Sequence, residues 1–366
     1  MIRVLHSVSN MDMAGIETMV MNYYRHMDRT QVQFDFWANK PKVGEYEPEI
    51  AQLGGRVFRS PGYYPWRFPA YVQGMKRIAN IDILHVHNGA LGAYALLSGK
   101  LCGIQHRIYH AHGTQLPAGK GRLIKQCVRP LLDPLSPHKL ACSHKAAAFY
   151  YHKRTIQQRA YQLIPNAIDI PRFAFSSTDR ERIRAQYQWQ GKWVIGHVGR
   201  LNVQKNHMRL LDIFALLHAQ NPNAVLLLVG EGGTLSALQE KAHALHLQES
   251  VCFVPPTADI QAYYQAMDVF VLPSIWEGFP VVSVEAQASG LPCVLSTAIT
   301  EEANLSPLMH FADLQASNEE WASTIKAAYA KGIDRTKGAS FMREAGYDIT
   351  LEAQKLQALY LRIMGR

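Results

Sequence analysis

Two carboxylates eight positions apart, Glu277 and Glu285, lie in the run Pro273-Ser274-Ile275-Trp276-Glu277-Gly278-Phe279-Pro280-Val281-Val282-Ser283-Val284-Glu285-Ala286. An apolar stretch precedes this run and a helical pattern follows, so it reads as a strand end feeding a helix. Such a junction offers unpaired backbone amides and a positive dipole end, where an anionic ligand binds at the carboxyl edge of an open α/β sheet. Glu277 falls on the loop and Glu285 further into the helix. One carboxylate is then placed to face a sugar and the other to accept hydrogen bonds from ribose hydroxyls. The plainer alternative is two surface acids near a helix start, where the dipole favours them anyway.

A second cluster, Gly199-Arg200-Leu201-Asn202-Val203-Gln204-Lys205-Asn206, follows the apolar run Val194 to Val198. A guanidinium grips phosphate oxygens as a fork and an ammonium adds a point charge, so Arg200 and Lys205 suit a diphosphate leaving group without a metal. Two solvated surface cations are the alternative. A third cluster, Gly230-Glu231-Gly232-Gly233, gives a loop room for close backbone approach to a ligand. It does not match the dinucleotide-binding glycine pattern, and no P-loop occurs in the chain. His85-Val86-His87 and His110-Ala111-His112 each put two imidazoles on one strand face. Four histidines on neighbouring strands would make a zinc site. No carboxylate or cysteine accompanies them in sequence, and hydrogen bonding to sugars would use the same residues.

These clusters need elements to position them, and 366 residues exceed what one hydrophobic core usually supports. Short apolar runs alternate with amphipathic stretches, the pattern of parallel sheets covered by helices. Strands are expected at Ile2 to Val8, Val32 to Trp37, Ile83 to Val86, Arg107 to Ala111, Lys139 to Cys142 and Gln162 to Ile164. A second series takes in Val194 to Val198, Ala224 to Val229, Val251 to Val254, Asp268 to Leu272 and Pro292 to Leu295. Between the series, Ser176-Ser177-Thr178-Asp179 reads as an N-cap before a charged helix, which puts the linker near residue 172. The expected domains are 1–172 and 173–345, each doubly wound α/β. A separate segment, 346–366, would carry a helix over Asp348 to Ile363, with Ile349, Ala353, Leu356 and Leu359 on its apolar face.

The formal charge of +9 is uneven: residues 1–172 hold 22 Lys+Arg against 10 Asp+Glu, or +12, and the remaining 16 against 19 give −3. Residues 100–160 hold 11 basic residues and one acid, Asp133, which suits an anionic membrane surface or a lipid-linked phosphate. Within them, Lys120 to Leu132 alternates basic and apolar residues, so one face would lie on a membrane or else pack in the core. Aromatic interleaving typical of nucleic-acid platforms is absent from this segment. Five scattered cysteines without a C-x-x-C pair fit reduced thiols, and neither a signal-peptide core nor a membrane span is encoded. The expected location is cytoplasmic, at the inner face of the cytoplasmic membrane.

With Gly-Arg-Leu at 199–201, Lys205, and Glu277 spaced to Glu285, the chain resembles the retaining glycosyltransferase family four, of the GT-B fold. The likeness spans nearly the whole chain, since Ala14-Gly15-Ile16-Glu17, His110-Ala111-His112 and Ile164-Pro165-Asn166-Ala167-Ile168-Asp169 belong to it as well. It implies two Rossmann-like domains facing across a cleft. It also implies sugar transfer from a UDP- or GDP-linked donor to a lipid-linked or growing oligosaccharide of a bacterial capsule, exopolysaccharide or lipopolysaccharide. By that resemblance Arg200 and Lys205 grip the diphosphate, Glu285 holds the ribose, and Glu277 with Gly278, Phe279, Pro280 and Val281 positions the donor sugar. Gly15 would close over the phosphates, His112 would contact the sugar without acting as nucleophile, and Phe253 and Val254 would border the base. No metal and no cofactor beyond the sugar nucleotide are implied, and no nucleic acid. Ala14 and Ala167 stand where the family usually has glycine, and Pro255 and Pro256 replace the glycine after that strand. These departures touch loop geometry. A phosphorylase, an epimerase and an idle sugar-nucleotide-binding scaffold or sensor share the architecture.

Overall fold

A computed structural model describes residues 1–116, 121–332 and 334–365. The chain forms two compact units, Met1–Ala167 with Ile349–Arg366, and Ile168–Asp348. The first holds seven parallel strands: β1 (Ile2–Val8), β2 (Val32–Ala38), β3 (Val57–Arg59), β4 (Ile83–Val86), β5 (His106–Ala111), β6 (His138–Ala141) and β7 (Gln162–Leu163). Their spatial order is β3-β2-β1-β4-β5-β6-β7. The second holds β8 (Trp193–Val198), β9 (Ala224–Val229), β10 (Val251–Val254), β11 (Val269–Leu272), β12 (Cys293–Ser296) and β13 (Met309–Ala312), ordered β10-β9-β8-β11-β12-β13. Each order reverses once, between β1 and β4 and between β8 and β11. Such switch points open a crevice at the carboxyl ends of their strands.

The central strands are buried along their length, β2, β8 and β9 wholly, because helices cover both sheet faces. The two strands absent from the expectation, β3 and β13, are edge strands of three and four residues with partly exposed side chains, too short for periodicity to reveal. The boundary falls after Ala167, earlier than the expected residue 172. Ile168 bridges to Asp348 and donates to the Tyr347 carbonyl at 3.0 Å, and Arg172 donates to Gln261 at 3.1 Å, which ties 168–172 to the second unit. The expected separate piece, 346–366, is divided: Tyr347 and Asp348 stay with the second unit. The helix Ile349–Ile363 puts Ile349, Ala353, Leu356, Leu359 and Tyr360 into the core of the first, with Val4, Tyr24 and Phe34. Ser176 caps the helix Ser177–Gln186, its hydroxyl accepting from the Asp179 amide at 3.1 Å.

Candidate active site

The loops after β8 and β11 flank the switch point of the second sheet, and they carry the two clusters singled out above. After β8 the chain turns through Gly199 to Asn202, makes a short 3-10 turn at Val203–Lys205, and passes Asn206 in the left-handed region (φ 59°) into the helix His207–Gln220. The Asn202 side chain accepts from the Lys205 amide at 3.1 Å, which fixes that turn. The two loops are stitched together by backbone and amide bonds. Ile275 donates to the Gln204 carbonyl at 2.8 Å, the Gln204 amide group to the Trp276 carbonyl at 2.9 Å, and Asn206 to the Pro273 carbonyl at 3.2 Å. Lys205 and Glu277 thereby meet: Nζ lies 2.8 Å from Oε1, with both side chains largely buried.

An ammonium has three donors, and one directed at Glu277 leaves two for phosphate oxygens. Below Lys205, His197 gives Nδ1 to the Val271 carbonyl at 2.8 Å, and its ring lies 4.3 Å from that of His207. Burial depresses both imidazoles, His207 to about 4, so the floor under the lysine is uncharged at neutral pH. Neither histidine was singled out in the sequence, where each reads as one polar residue in an apolar run.

Arg200 is not brought to this pair. Its side chain is exposed and forms no ion pair with Glu277. The glycine loop also behaves differently from expectation. Gly230 and Gly232 have φ of 150° and 158°, and a Cβ on them would run into the carbonyl oxygens of Gly199 and Leu201. The room they create is taken by the neighbouring loop, and Leu201 donates to the Glu231 carbonyl there at 2.8 Å. These glycines therefore position Arg200 and Lys205 indirectly.

Pro280 begins the helix Val281–Ala288, which carries Glu285. The Glu285 carboxylate, buried in that helix, accepts from the Tyr264 hydroxyl at 2.7 Å. Burial raises its pKa and the Tyr264 hydrogen bond opposes that rise. Phe279 and Val281 are buried, with Phe279 stacked on Tyr347 at 5.4 Å, and Gly278 is partly exposed between them and Glu277. Val254 ends β10, buried, with its carbonyl accepting from Gly230 at 2.8 Å.

The other expected residues belong to the first unit. Gly15 is exposed at the start of the helix Gly15–His26, where an added Cβ meets no atom within 4 Å, so folding does not require glycine there. His112 follows β5 at the sheet's carboxyl edge, partly exposed, its Nε2 2.9 Å from His87 Nδ1. His85, His87, His110 and His112 do converge, and His6 of β1 joins them, opposite His85 in register. The segment Lys120 to Leu132 forms the helix Arg122–Val128 and the turn Arg129–Leu131, with Lys120 outside the described residues. No residue of that helix is buried, and Leu123 is 77% exposed, so its apolar side is not packed in the core. No helix among the described residues is long and apolar enough to cross a membrane.

Comparison with known proteins agrees with this geometry. Residues 13–172 match the model for Glycosyltransferase Family 4 and residues 179–301 that for glycosyl transferases group 1. The Bacillus subtilis (strain 168) protein EpsF, named as a glycosyltransferase, is 34% identical over 363 residues, covering 96% of this chain and 94% of that protein. A UDP-Gal:alpha-D-GlcNAc-diphosphoundecaprenol alpha-1,3-galactosyltransferase of Escherichia coli is 28% identical over 59% of this chain and 57% of its own length. Among solved structures, Anabaena HepE in complex with UDP-glucose superposes with a TM-score of 0.79 at 20% identity, over 99% of this chain and 100% of that one. WaaG, a glycosyltransferase involved in lipopolysaccharide biosynthesis, gives 0.74 at 15%, over 97% and 99%. The fold is thus GT-B, and with a relative as similar as EpsF over nearly its whole length, the chain belongs to the family 4 (group 1) glycosyltransferases.

Proposed function

We propose that this glycosyltransferase moves a hexose from a UDP- or GDP-linked donor to a hydroxyl of a lipid-linked or growing oligosaccharide in bacterial surface polysaccharide synthesis, with retention and without a metal. The observation that carries this reading is the Lys205–Glu277 pair, held at 2.8 Å beside the switch point of the second sheet. As the bond from the anomeric carbon to the diphosphate oxygen breaks, negative charge grows on the diphosphate. Lys205 and the first amides of the helix Val281–Ala288 stabilise this added charge more than the anionic diphosphate of the ground state. Arg200, exposed on the same loop, adds its guanidinium as the phosphates arrive. Glu277 orients Lys205 and the donor hydroxyls, and Glu285, fixed by Tyr264, takes the ribose. His112 hydrogen-bonds the sugar and is not a nucleophile. The acceptor oxygen bonds to the anomeric carbon on the face the diphosphate leaves, and its proton passes to the departing phosphate oxygen. The Escherichia coli galactosyltransferase, whose name gives a diphosphoundecaprenol-linked GlcNAc as acceptor, supports the choice of acceptor class.

The cytoplasmic membrane face is the place of work in this reading. The helix Arg122–Val128 supports it: Leu123 and Ile124 are 77% and 52% exposed, beside Arg122 and Lys125. The test is transfer from a panel of UDP- and GDP-sugars to a lipid-diphosphate-linked sugar in EDTA, with product configuration read by NMR. An α-linked product from an α-linked donor supports the proposal. An inverted product, or activity restored only by added metal, contradicts it.

A further inference from the structure

The first unit carries an imidazole array of which the proposed transfer uses only His112, at its partly exposed end. His6 Nδ1 lies 3.0 Å from His87 Nε2, His87 Nδ1 lies 2.9 Å from His112 Nε2, and His85 Nδ1 meets the Tyr360 hydroxyl at 2.7 Å. A neutral imidazole has one donor and one acceptor, so His87, bonded at both nitrogens, gives the chain His6–His87–His112 a single direction of protons. What remains after that pairing is unusual. His6 Nε2 and His85 Nε2 are buried without a hydrogen-bond partner, and His110, 1% exposed, has no side-chain partner at either nitrogen and only the Ile164 backbone beside its ring. Buried polar atoms are nearly always paired, so imidazole nitrogens left over in this number call for an explanation.

The geometry points to a site for one divalent transition-metal ion of the zinc class, ligated by His87, His110 and His112. Each offers one nitrogen, these nitrogens all lie within 4.8 Å of one another, and His87 gives up its hydrogen bond to His6 or to His112 when the ion enters. Zn–N bonds of about 2.1 Å at tetrahedral angles put ligand nitrogens about 3.4 Å apart, so ring rotations and a small inward shift close the site. Imidazole donors without thiolate or carboxylate select borderline ions, zinc, cobalt, nickel and copper, over magnesium or calcium. Burial keeps all three rings neutral, the form that binds metal. The set His6, His85 and His87 has the same spacing but is buried throughout. His112 reaches the surface, which gives the ion an entry path and an open fourth position for water.

A metal on His112 holds in place the side chain that the proposed function directs at the sugar. Occupancy therefore inhibits transfer, a consequence that rests on the proposed function while the binding does not. The test is titration of untagged, EDTA-dialysed protein with Co2+, followed by its visible ligand-field absorption and by displacement with Zn2+. We expect one site per chain. His110→Gln and, separately, His87→Gln should each weaken it at least about 100-fold, with circular dichroism confirming the fold of at least one variant. Absence of saturable Co2+ binding in the native protein, or affinity unchanged in a folded variant, overturns the site. Zinc inhibition of transfer in the native protein but not in His110→Gln supports the shared role of His112. Metal binding without inhibition keeps the site and removes His112 from the donor, and failure of every donor in the panel leaves the cobalt result decisive.

Discussion

The carboxyl edges of the two sheets are built on the same topology and solve opposite electrostatic problems. At β8 and β11 a cation and a carboxylate are held together, largely buried, by two loops stitched through Gln204 and Asn206, with Gly230 and Gly232 of the loop after β9 packed against Gly199 and Leu201. At β1, β4 and β5 the corresponding edge carries imidazoles kept neutral by burial. One edge holds a charged pair. The other stores uncharged lone pairs. The difference shows that a doubly wound sheet fixes only where a ligand crevice lies, and that the loop residues decide what chemistry enters it.

The largest effect expected from this contrast is on the charged edge. Lys205→Ala should lower kcat about 100- to 1000-fold, the range for removing one preorganised donor to a developing oxyanion, and should also lower Tm, because the largely buried Glu277 carboxylate loses its cation. Steady-state transfer and calorimetry check both halves. Next comes the stitching of that edge: Gly232→Ala forces a Cβ against the Leu201 carbonyl in a backbone region that alanine avoids. A cost of about 3 kcal/mol would lower Tm by about 6–12 °C, read by differential scanning calorimetry.

The neutral edge should show itself in acid. His6 is depressed by burial to about 3 and its neighbours also lie below the ordinary value near 6.5. Between those limits the unfolded chain binds more protons than the native one. Stability is then full above pH 6.5 and falls as the pH drops toward 3. Hydrogen exchange at pH 5 should open strands β1, β4 and β5 before β8 and β9, and simultaneous opening would blur the contrast. The smallest effect is at Gly15, where a Cβ enters open space. Gly15→Ala should change stability by less than about 0.5 kcal/mol, and any change in donor KM would then report on binding alone.

Much of this was legible in the residues because parallel strands buried on both faces write themselves as apolar runs, as in Ala224–Val229. The placement of the Lys205 and Glu277 clusters on loops after apolar strands was legible too, while their ion pair was not. What sequence hid was determined by packing across long separations. Tyr360 reaches His85 over 275 positions, and His6 joins the array only because β1 lies beside β4 in register. Gly230 and Gly232 read as ligand-facing because a glycine-rich turn does not reveal which backbone fills its space. The boundary at Ala167 rests on contacts of Ile168 with Tyr347 and Asp348 and of Arg172 with Gln261, which leave no mark on composition.

The central claim is that Lys205 and Glu277 act as one unit on the departing diphosphate, and a double-mutant cycle on kcat tests it most directly. Lys205→Ala, Glu277→Gln and the double variant would be compared on the donor found in the panel. The account predicts a large loss in each single variant and a double variant no slower than the worse of the two. Near-native turnover in both single variants, or losses that multiply, would contradict it.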